Sequence, residues 1–99
     1  MAVVQFTRFS GGQSEDVIAN AKKAKVLWMK HGAEIVYMNR FHTGQWTGQW
    51  LFVVRFPDWA TYGKAQEGVS KDPEFQKLLA HVLTIAKLEG RSVLVGADI

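Results

Sequence analysis

Hydrophobic and polar positions alternate in several stretches of the chain, which predicts β-strands. The stretches are residues 2–9, 33–41, 48–56 and 91–97. Successive side chains of a strand point to opposite faces, so alternate residues share a face. The third stretch is apolar on both faces. Its apolar residues are Trp50, Phe52 and Val54 on one face and Leu51 and Val53 on the other. Strands that are buried on both faces have this pattern.

Between the first two strands, apolar residues recur at the spacing of a helix. This apolar stripe consists of Val17, Ala21, Ala24 and Trp28. We expect Ser14 to cap the start of the helix and Gly32 to end it, because serine and glycine are favoured at these positions. His31 lies in the last turn, where a cation interacts favourably with the helix dipole, and is interpreted as a helix-end residue.

A second helical region lies between the third and fourth strands. Asp58 is predicted to cap a short helix that extends to about Val69. Asp72 followed by Pro73 predicts a new helix start, because proline is favoured at the first helical position. We expect this last helix to continue to Gly90.

The segment HTGQWTGQW, residues 42–50, contains TGQW twice. Gly44 and Gly48 permit the positive φ angles that a chain reversal requires. We interpret the segment as a hairpin connection, because repeat architectures need units of about 20 residues or more. The element order is then β-α-β-β-α-β, which predicts one α+β domain over residues 1–99. This is the ferredoxin-like arrangement, an antiparallel sheet with helices on one face. Its other face must be covered by something, because strand three is apolar on both sides.

Over nearly its whole length the chain resembles the dimeric α/β-barrel superfamily. The resembling segments are Val53–Trp59, Lys71–Leu78 and Val93–Val95, and the Asp-Pro-Glu-Phe helix start is similar to that of antibiotic-biosynthesis-monooxygenase-like and NIPSNAP-like members. The resemblance implies a homodimer that packs sheet against sheet and encloses cavities. It does not imply one reaction, since the superfamily includes cofactor-independent oxygenases, isomerases and haem-degrading enzymes. Strand one has Gln5 and Thr7 where the haem-degrading branch has an asparagine, so haem oxygenase activity is not expected.

An RNA-recognition module has the same element order. Trp50 and Phe52 would then stack on bases, but the basic residue expected before Gly48 is missing. The formal charge of +3 is also modest, so nucleic acid is not an expected partner.

The absence of cysteine excludes disulfides and thiolate metal sites. The start MAVVQFTRF does not resemble a signal peptide, and no stretch is long and apolar enough to span a bilayer, so we expect a cytoplasmic protein.

The three histidines are candidate acid-base groups. His42 lies beside the hairpin connection, and His81 lies at the edge of the last helix's apolar stripe. No two histidines have a short ligand spacing, so no metal site is predicted. Either His42 or His81 is a candidate base, and both are packing or loop residues in the alternative interpretation.

Polar residues within the strands form a second candidate set. Gln5, Thr7, Tyr37 and Asn39 alternate with apolar neighbours. If those neighbours face the helices, the four polar residues face the dimer cavity. Tyr37 or Asn39 would then stabilise an enolate by hydrogen bonding. Trp46 and Trp50 are predicted to line the same space as Gln5 and Thr7. The alternative is that the four polar residues bind nothing and only hydrogen-bond across the dimer, while the two tryptophans simply pack across the hairpin.

The sequence therefore predicts a homodimer that acts on, or only binds, a small hydrophobic or aromatic molecule. The enzymatic version is a monooxygenase-like or isomerase-like reaction without a cofactor. The other version is a ligand-binding or structural dimer.

Overall fold

The computed structural model describes residues 1–99 and contains one four-stranded sheet with three helices. The elements are β1 (Val3–Ser10), α1 (Ser14–Lys30), β2 (Ile35–Arg40), β3 (Trp50–Phe56), α2 (Trp59–Lys71), α3 (Pro73–Ile85) and β4 (Lys87–Val95). The strand order is β2-β3-β1-β4, and every neighbouring pair is antiparallel. This confirms the predicted ferredoxin-like fold, with the second crossover divided into α2 and α3.

The hydrophobic core lies between the sheet and the helices and is organised around Trp28 of α1. Its ring packs edge-to-face against Phe56 of β3 and Phe75 of α3, with centroid distances of 5.9 and 5.5 Å. Val3 and Val54 of the neighbouring strands are fully buried beside them. Each large apolar side chain buried in this way contributes about 1.5–3 kcal/mol.

Asp58 and Asp72 cap α2 and α3 as predicted, whereas the predicted cap of α1 is wrong. Asp58 accepts a hydrogen bond from the Thr61 backbone N–H, and Asp72 accepts one from that of Glu74. The N-cap of α1 is Gln13, whose side chain makes no capping hydrogen bond, and Ser14 is already helical. Gly11 and Gly12, with φ angles of +78° and +82°, form the turn that precedes this cap.

The predicted end of the last helix at Gly90 is also wrong. Helix α3 ends at Ile85, and β4 begins at Lys87, which pairs with Ser10 of β1. The pairing explains the difference, because β1 offers backbone hydrogen-bonding groups along its whole length and β4 satisfies them. The spacing of apolar residues along the sequence does not show that this segment pairs with β1.

Residues 41–49 connect β2 to β3 as the predicted hairpin. Gly44 and Gly48 have φ angles of +101° and +86°, in the region that favours glycine. The Phe41 N–H donates to the Gln49 carbonyl, and the Gly48 N–H donates to the Phe41 carbonyl. The doubled TGQW is therefore a chain reversal whose second copy leads into β3.

The predicted direction of Gln5 and Thr7 is wrong. Both are buried on the helix side of the sheet, and Gln5 is only 1% exposed. The half-buried Val4 and Phe6 occupy the outer face, which is the face away from the helices. The register explains this arrangement, because Gln5 and Thr7 are paired with the buried Val54 and Phe52 of β3. Tyr37 and Asn39 do lie on the outer face, as predicted, so the four polar residues are divided between two faces.

The outer face of the sheet is mainly apolar, although it also carries Arg8 and Arg55, and it is partly exposed. Ile35, Tyr37 and Leu94 are 40%, 47% and 48% exposed there. Val53 lies between Phe6 and Tyr37 in the ladder and is buried even without a covering layer. On the outer face of β3 only Val53 is buried, whereas Leu51 is half-buried and Arg55 is exposed. The predicted covering of this face therefore stays a prediction.

Candidate functional site

A cavity of about 80 Å³ lies between the sheet and the helices α1 and α3. Thirteen of its 17 lining residues are hydrophobic, so the space is mainly apolar. Trp28, Phe52 and Phe75 form part of its wall. The volume is below the roughly 300 Å³ typical of sites for drug-sized ligands. The cavity is therefore suited to a small molecule or to one end of a larger one.

Helix α1 contributes to the cavity through one face. Val17, Ala21, Ala24 and Trp28 line it at spacings of three or four residues, which places them on one side of the helix, and Asn20 lies on the same side, four positions before Ala24. Alanine at positions 21 and 24 leaves room that larger side chains would fill. The small residues in the middle of the stripe are thus part of the reason that a space remains between α1 and the sheet.

Four polar residues line the cavity: Gln5, Thr7, Asn20 and Arg91. The Gln66 side-chain N–H donates to Gln5 Oε1 and holds the buried Gln5 amide in place. The Asn20 side-chain N–H donates to the Asp16 carbonyl at 2.7 Å, which leaves Asn20 Oδ1 as an acceptor. These interactions fix two amide groups in an apolar wall, where they can orient a ligand by hydrogen bonding.

The electrostatics of the cavity come from Arg91. The lining contains no histidine and no carboxylate, so no side chain with an ordinary pKa near neutrality lies there. The carboxylate of Glu89 in β4 is not part of the lining. The Ser10 hydroxyl donates to Glu89 at 2.7 Å and holds the pKa of that carboxyl below its usual value. The cavity can therefore bind and orient a molecule, but it offers no side-chain base.

The candidate bases from the sequence lie outside the cavity. His42 is exposed in the hairpin connection. His81 is exposed on α3 and lines a separate surface groove between α1 and α3, together with Lys23 and Lys77. Tyr37 and Asn39 lie on the outer face of the sheet, behind the cavity. The structure thus brings none of these four residues into contact with the cavity.

Neither Trp46 nor Trp50 lines the cavity. Trp46 is in the hairpin connection, and the Arg8 guanidinium lies 4.2 Å from its ring centroid. Trp50 is buried, with the Arg40 guanidinium 4.8 Å from its ring centroid. Such cation–π contacts stabilise the connection. Because Trp50 and Phe52 are covered on the helix side, they are not available to stack on the bases of RNA.

The sequence interpretation missed Asn20, Trp28 and Arg91 as cavity residues. Asn20 has a recognisable signal, since it is a polar residue three positions after Val17 in an otherwise apolar stripe. Arg91 has none, because its position in the cavity depends on how β4 pairs with β1.

No group of three or more His, Asp or Glu side chains is arranged to hold a metal ion. None of the helices combines the length and hydropathy needed to cross a lipid bilayer.

The fold is shared with solved structures whose sequences differ widely from this one. SnoaB, a cofactor-independent oxygenase from Streptomyces nogalater, is 11% identical with a TM-score of 0.76, over 99% of this chain and 95% of that chain. A NIPSNAP domain protein from Burkholderia xenovorans is 17% identical with a TM-score of 0.66, over 98% and 95%. No sequence model of a protein family matches the chain, and no curated protein sequence matches it. The predicted resemblance to monooxygenase-like and NIPSNAP-like proteins is therefore confirmed for the fold.

Proposed function

We propose that this protein is a homodimer that binds a small hydrophobic or aromatic metabolite in the cavity between the sheet and helices α1 and α3, and promotes its reaction with O₂ without a cofactor. The observation that carries the proposal is the apolar cavity with polar groups at Gln5, Thr7 and Asn20, of which the two amides are held in place by hydrogen bonds. Ligand sites commonly combine an apolar wall with a few placed polar groups. The fold of SnoaB, a cofactor-independent oxygenase, supports the choice of reaction.

The proposed chemistry relies on the substrate more than on the protein. An electron-rich enolate or phenolate can transfer one electron to O₂ by itself, and the substrate radical and superoxide then combine to form a peroxide at the reacting carbon. The proton lost when the substrate ionised returns to this peroxide, which loses water together with the remaining hydrogen of that carbon and leaves a carbonyl group. The substrate supplies all the electrons. Because no base lines the cavity, the proposed substrate is acidic enough to ionise without one. The amides of Gln5 and Asn20 and the Thr7 hydroxyl orient it. Trp28 and Phe52 exclude water from its reacting carbon, which limits competing proton transfer.

The proposed dimer covers the outer face of the sheet. Ile35, Tyr37 and Leu94 are exposed there, and a second copy that packs face to face would remove them from water. Tyr37 and Asn39 then belong to the dimer interface, and their predicted catalytic role is not part of this proposal.

A second candidate function is ligand binding without catalysis. The observation that favours it is the absence of a titratable base from the cavity lining. Both functions require the same cavity, so they differ only in turnover.

Oxygen consumption separates the two candidates. A panel of single-ring hydroxylated aromatics would be incubated with the protein in an oxygen electrode, while binding is followed by tryptophan fluorescence. Trp28 lines the cavity and reports occupancy. Oxygen uptake above the protein-free rate for a bound compound supports the oxygenase. Binding without uptake across the panel contradicts it and supports the binding protein, and a panel in which nothing binds contradicts both.

A further inference from the structure

Arg91 is the only charged residue that lines the cavity, and it lies next to Thr7. The two residues are direct partners in the antiparallel ladder between β4 and β1. Cross-strand partners on one face of a sheet have Cβ atoms about 4.5–5.5 Å apart. Arg91 and Thr7 therefore line the same part of the cavity, where both can donate hydrogen bonds.

No carboxylate of the protein neutralises Arg91. The ion pairs join Lys30 and His31 to Asp72, Lys71 to Glu67, and Lys87 to Glu89. Glu89 is the acid nearest to Arg91 along β4, but a bulge opposite Arg8 and Phe9 takes it out of the regular ladder. Its carboxylate accepts the Ser10 hydroxyl and lies 3.8 Å from Lys87 Nζ. Arg91 therefore has no ion-pair partner within the protein, and its guanidinium is available to pair with an anionic ligand.

The exposure of Arg91 places this charge at the mouth of the cavity. Arg91 is an exposed residue, whereas Thr7 and Gln5 are buried. A ligand anion at the mouth keeps part of its hydration, so pairing there avoids the desolvation cost of a deeply buried charge. An apolar cavity of about 150 Å³ is known to hold benzene. With about 80 Å³, this cavity accepts at most one ring, and only if part of the ligand extends through the mouth.

We propose that the cavity selects a small carboxylic acid, with a single apolar ring against Trp28 and Phe52 and a carboxylate that pairs with Arg91 and accepts the Thr7 hydroxyl hydrogen bond. The proposal rests on the proposed function in one respect, namely that the cavity holds a ligand. Arginine suits a carboxylate because its planar donors bind both oxygens at once. Thr7 supplies a further donor on the same face.

Benzoate and benzamide test the proposal, because they have nearly the same shape and differ in charge. Their affinities would be measured by calorimetric titration at pH 7. We expect wild-type protein to bind benzoate roughly tenfold more tightly than benzamide, in line with the usual strength of charged hydrogen bonds. Arg91→Gln should remove this preference and leave the affinity for benzamide within about twofold.

Two further variants make the result specific. Arg40→Gln removes the same charge from a sheet residue outside the cavity, and it should retain the preference for benzoate. Ala24→Leu fills the cavity and should weaken the binding of both probes.

Each outcome decides a different point. A preference for benzoate that persists in Arg91→Gln would overturn the carboxylate site. Equal binding of both probes by wild-type protein, lost in Ala24→Leu, would also overturn it but would leave the cavity as the ligand site. Failure of both probes to bind any form of the protein would overturn the proposed cavity function and this inference with it.

Discussion

His31 Nε2 and Asp72 Oδ2 lie 2.8 Å apart and join the end of α1 to the residue between α2 and α3. The Asp72 side chain also accepts a hydrogen bond from the Glu74 backbone N–H at the start of α3. Lys30 Nζ lies 3.6 Å from the same carboxylate oxygen as His31. One buried carboxylate therefore connects the helices that form the outer wall of the cavity.

This connection predicts a loss of stability in acid. The hydrogen bond from His31, and to a lesser extent those from the backbone and the charge of Lys30, hold the pKa of Asp72 below its usual value of 3.8. A carboxyl with a lowered folded-state pKa stabilises the fold at pH values above its unfolded-state pKa. This contribution should decline as the pH falls below that value toward the folded-state pKa. Urea unfolding of wild-type protein and Asp72→Asn between pH 2 and 7 measures it.

The stability difference between these two proteins should shrink as the pH falls below about 3.8, the usual pKa of this carboxyl. Asp98→Asn is the matched control, because Asp98 is exposed near the end of the chain. A difference between wild-type protein and Asp72→Asn that does not change with pH would show that the ionised carboxylate contributes nothing.

Trp28 should be among the most costly core positions to truncate. Trp28→Ala removes the edge-to-face contacts with Phe56 and Phe75 and should destabilise the fold by about 3–5 kcal/mol. Trp59→Ala is the matched control, because Trp59 is half exposed and should cost far less. Chemical denaturation measures both values. Similar losses at the two positions would contradict the central role of Trp28 in the core.

Filling the cavity should block ligands without unfolding the protein. Ala24→Leu adds apolar atoms to the α1 side of the cavity and should change stability by no more than about 1–3 kcal/mol, the usual cost of overpacking. The affinity for any cavity ligand should fall at least tenfold. Ala19→Leu makes the same change on the exposed side of α1 and should leave affinity unaltered. Unchanged affinity in Ala24→Leu would place the ligand elsewhere.

The outer face of the sheet should form the interface of the proposed homodimer. Tyr37→Asp introduces a charge among exposed apolar side chains, and its burial in a dimer would be costly. We expect sedimentation velocity to show a dimer for wild-type protein and a monomer for Tyr37→Asp. Ala19→Asp, on the exposed side of α1, should remain dimeric. A monomeric wild-type protein would contradict the proposed dimer.

His42 and His81 should not be needed for ligand binding in the cavity or for any oxygen uptake. His42→Ala and His81→Ala change exposed residues outside the lining, so each should leave ligand affinity and any oxygen uptake within about twofold of wild type. Parallel titration and oxygen-electrode measurements test this. A large loss of uptake in either variant would restore that histidine as the candidate base.

Local chemistry in the sequence determined most of the architecture. The caps at Asp58 and Asp72, the glycines of the hairpin connection and the alternation in β3 depend on neighbouring residues only, and each is found in the structure. The end of α3 was not predictable in this way. Residues after Ile85 have a helical pattern in the sequence, but in the structure they form β4, which pairs with β1.

The candidate site depended on tertiary structure to a greater degree. Alternation shows that Gln5 and Thr7 share a face of β1, but a period of two residues is the same for both faces and does not tell which one the helices cover. The register with Val54 and Phe52 places the two polar residues inward. Likewise, Arg91 is more than 80 positions from Thr7 in the sequence, and only strand pairing makes them neighbours. The sequence by itself thus determined the elements and their order, because these follow from contacts between near neighbours. The cavity and its charge were decided by the packing of distant segments.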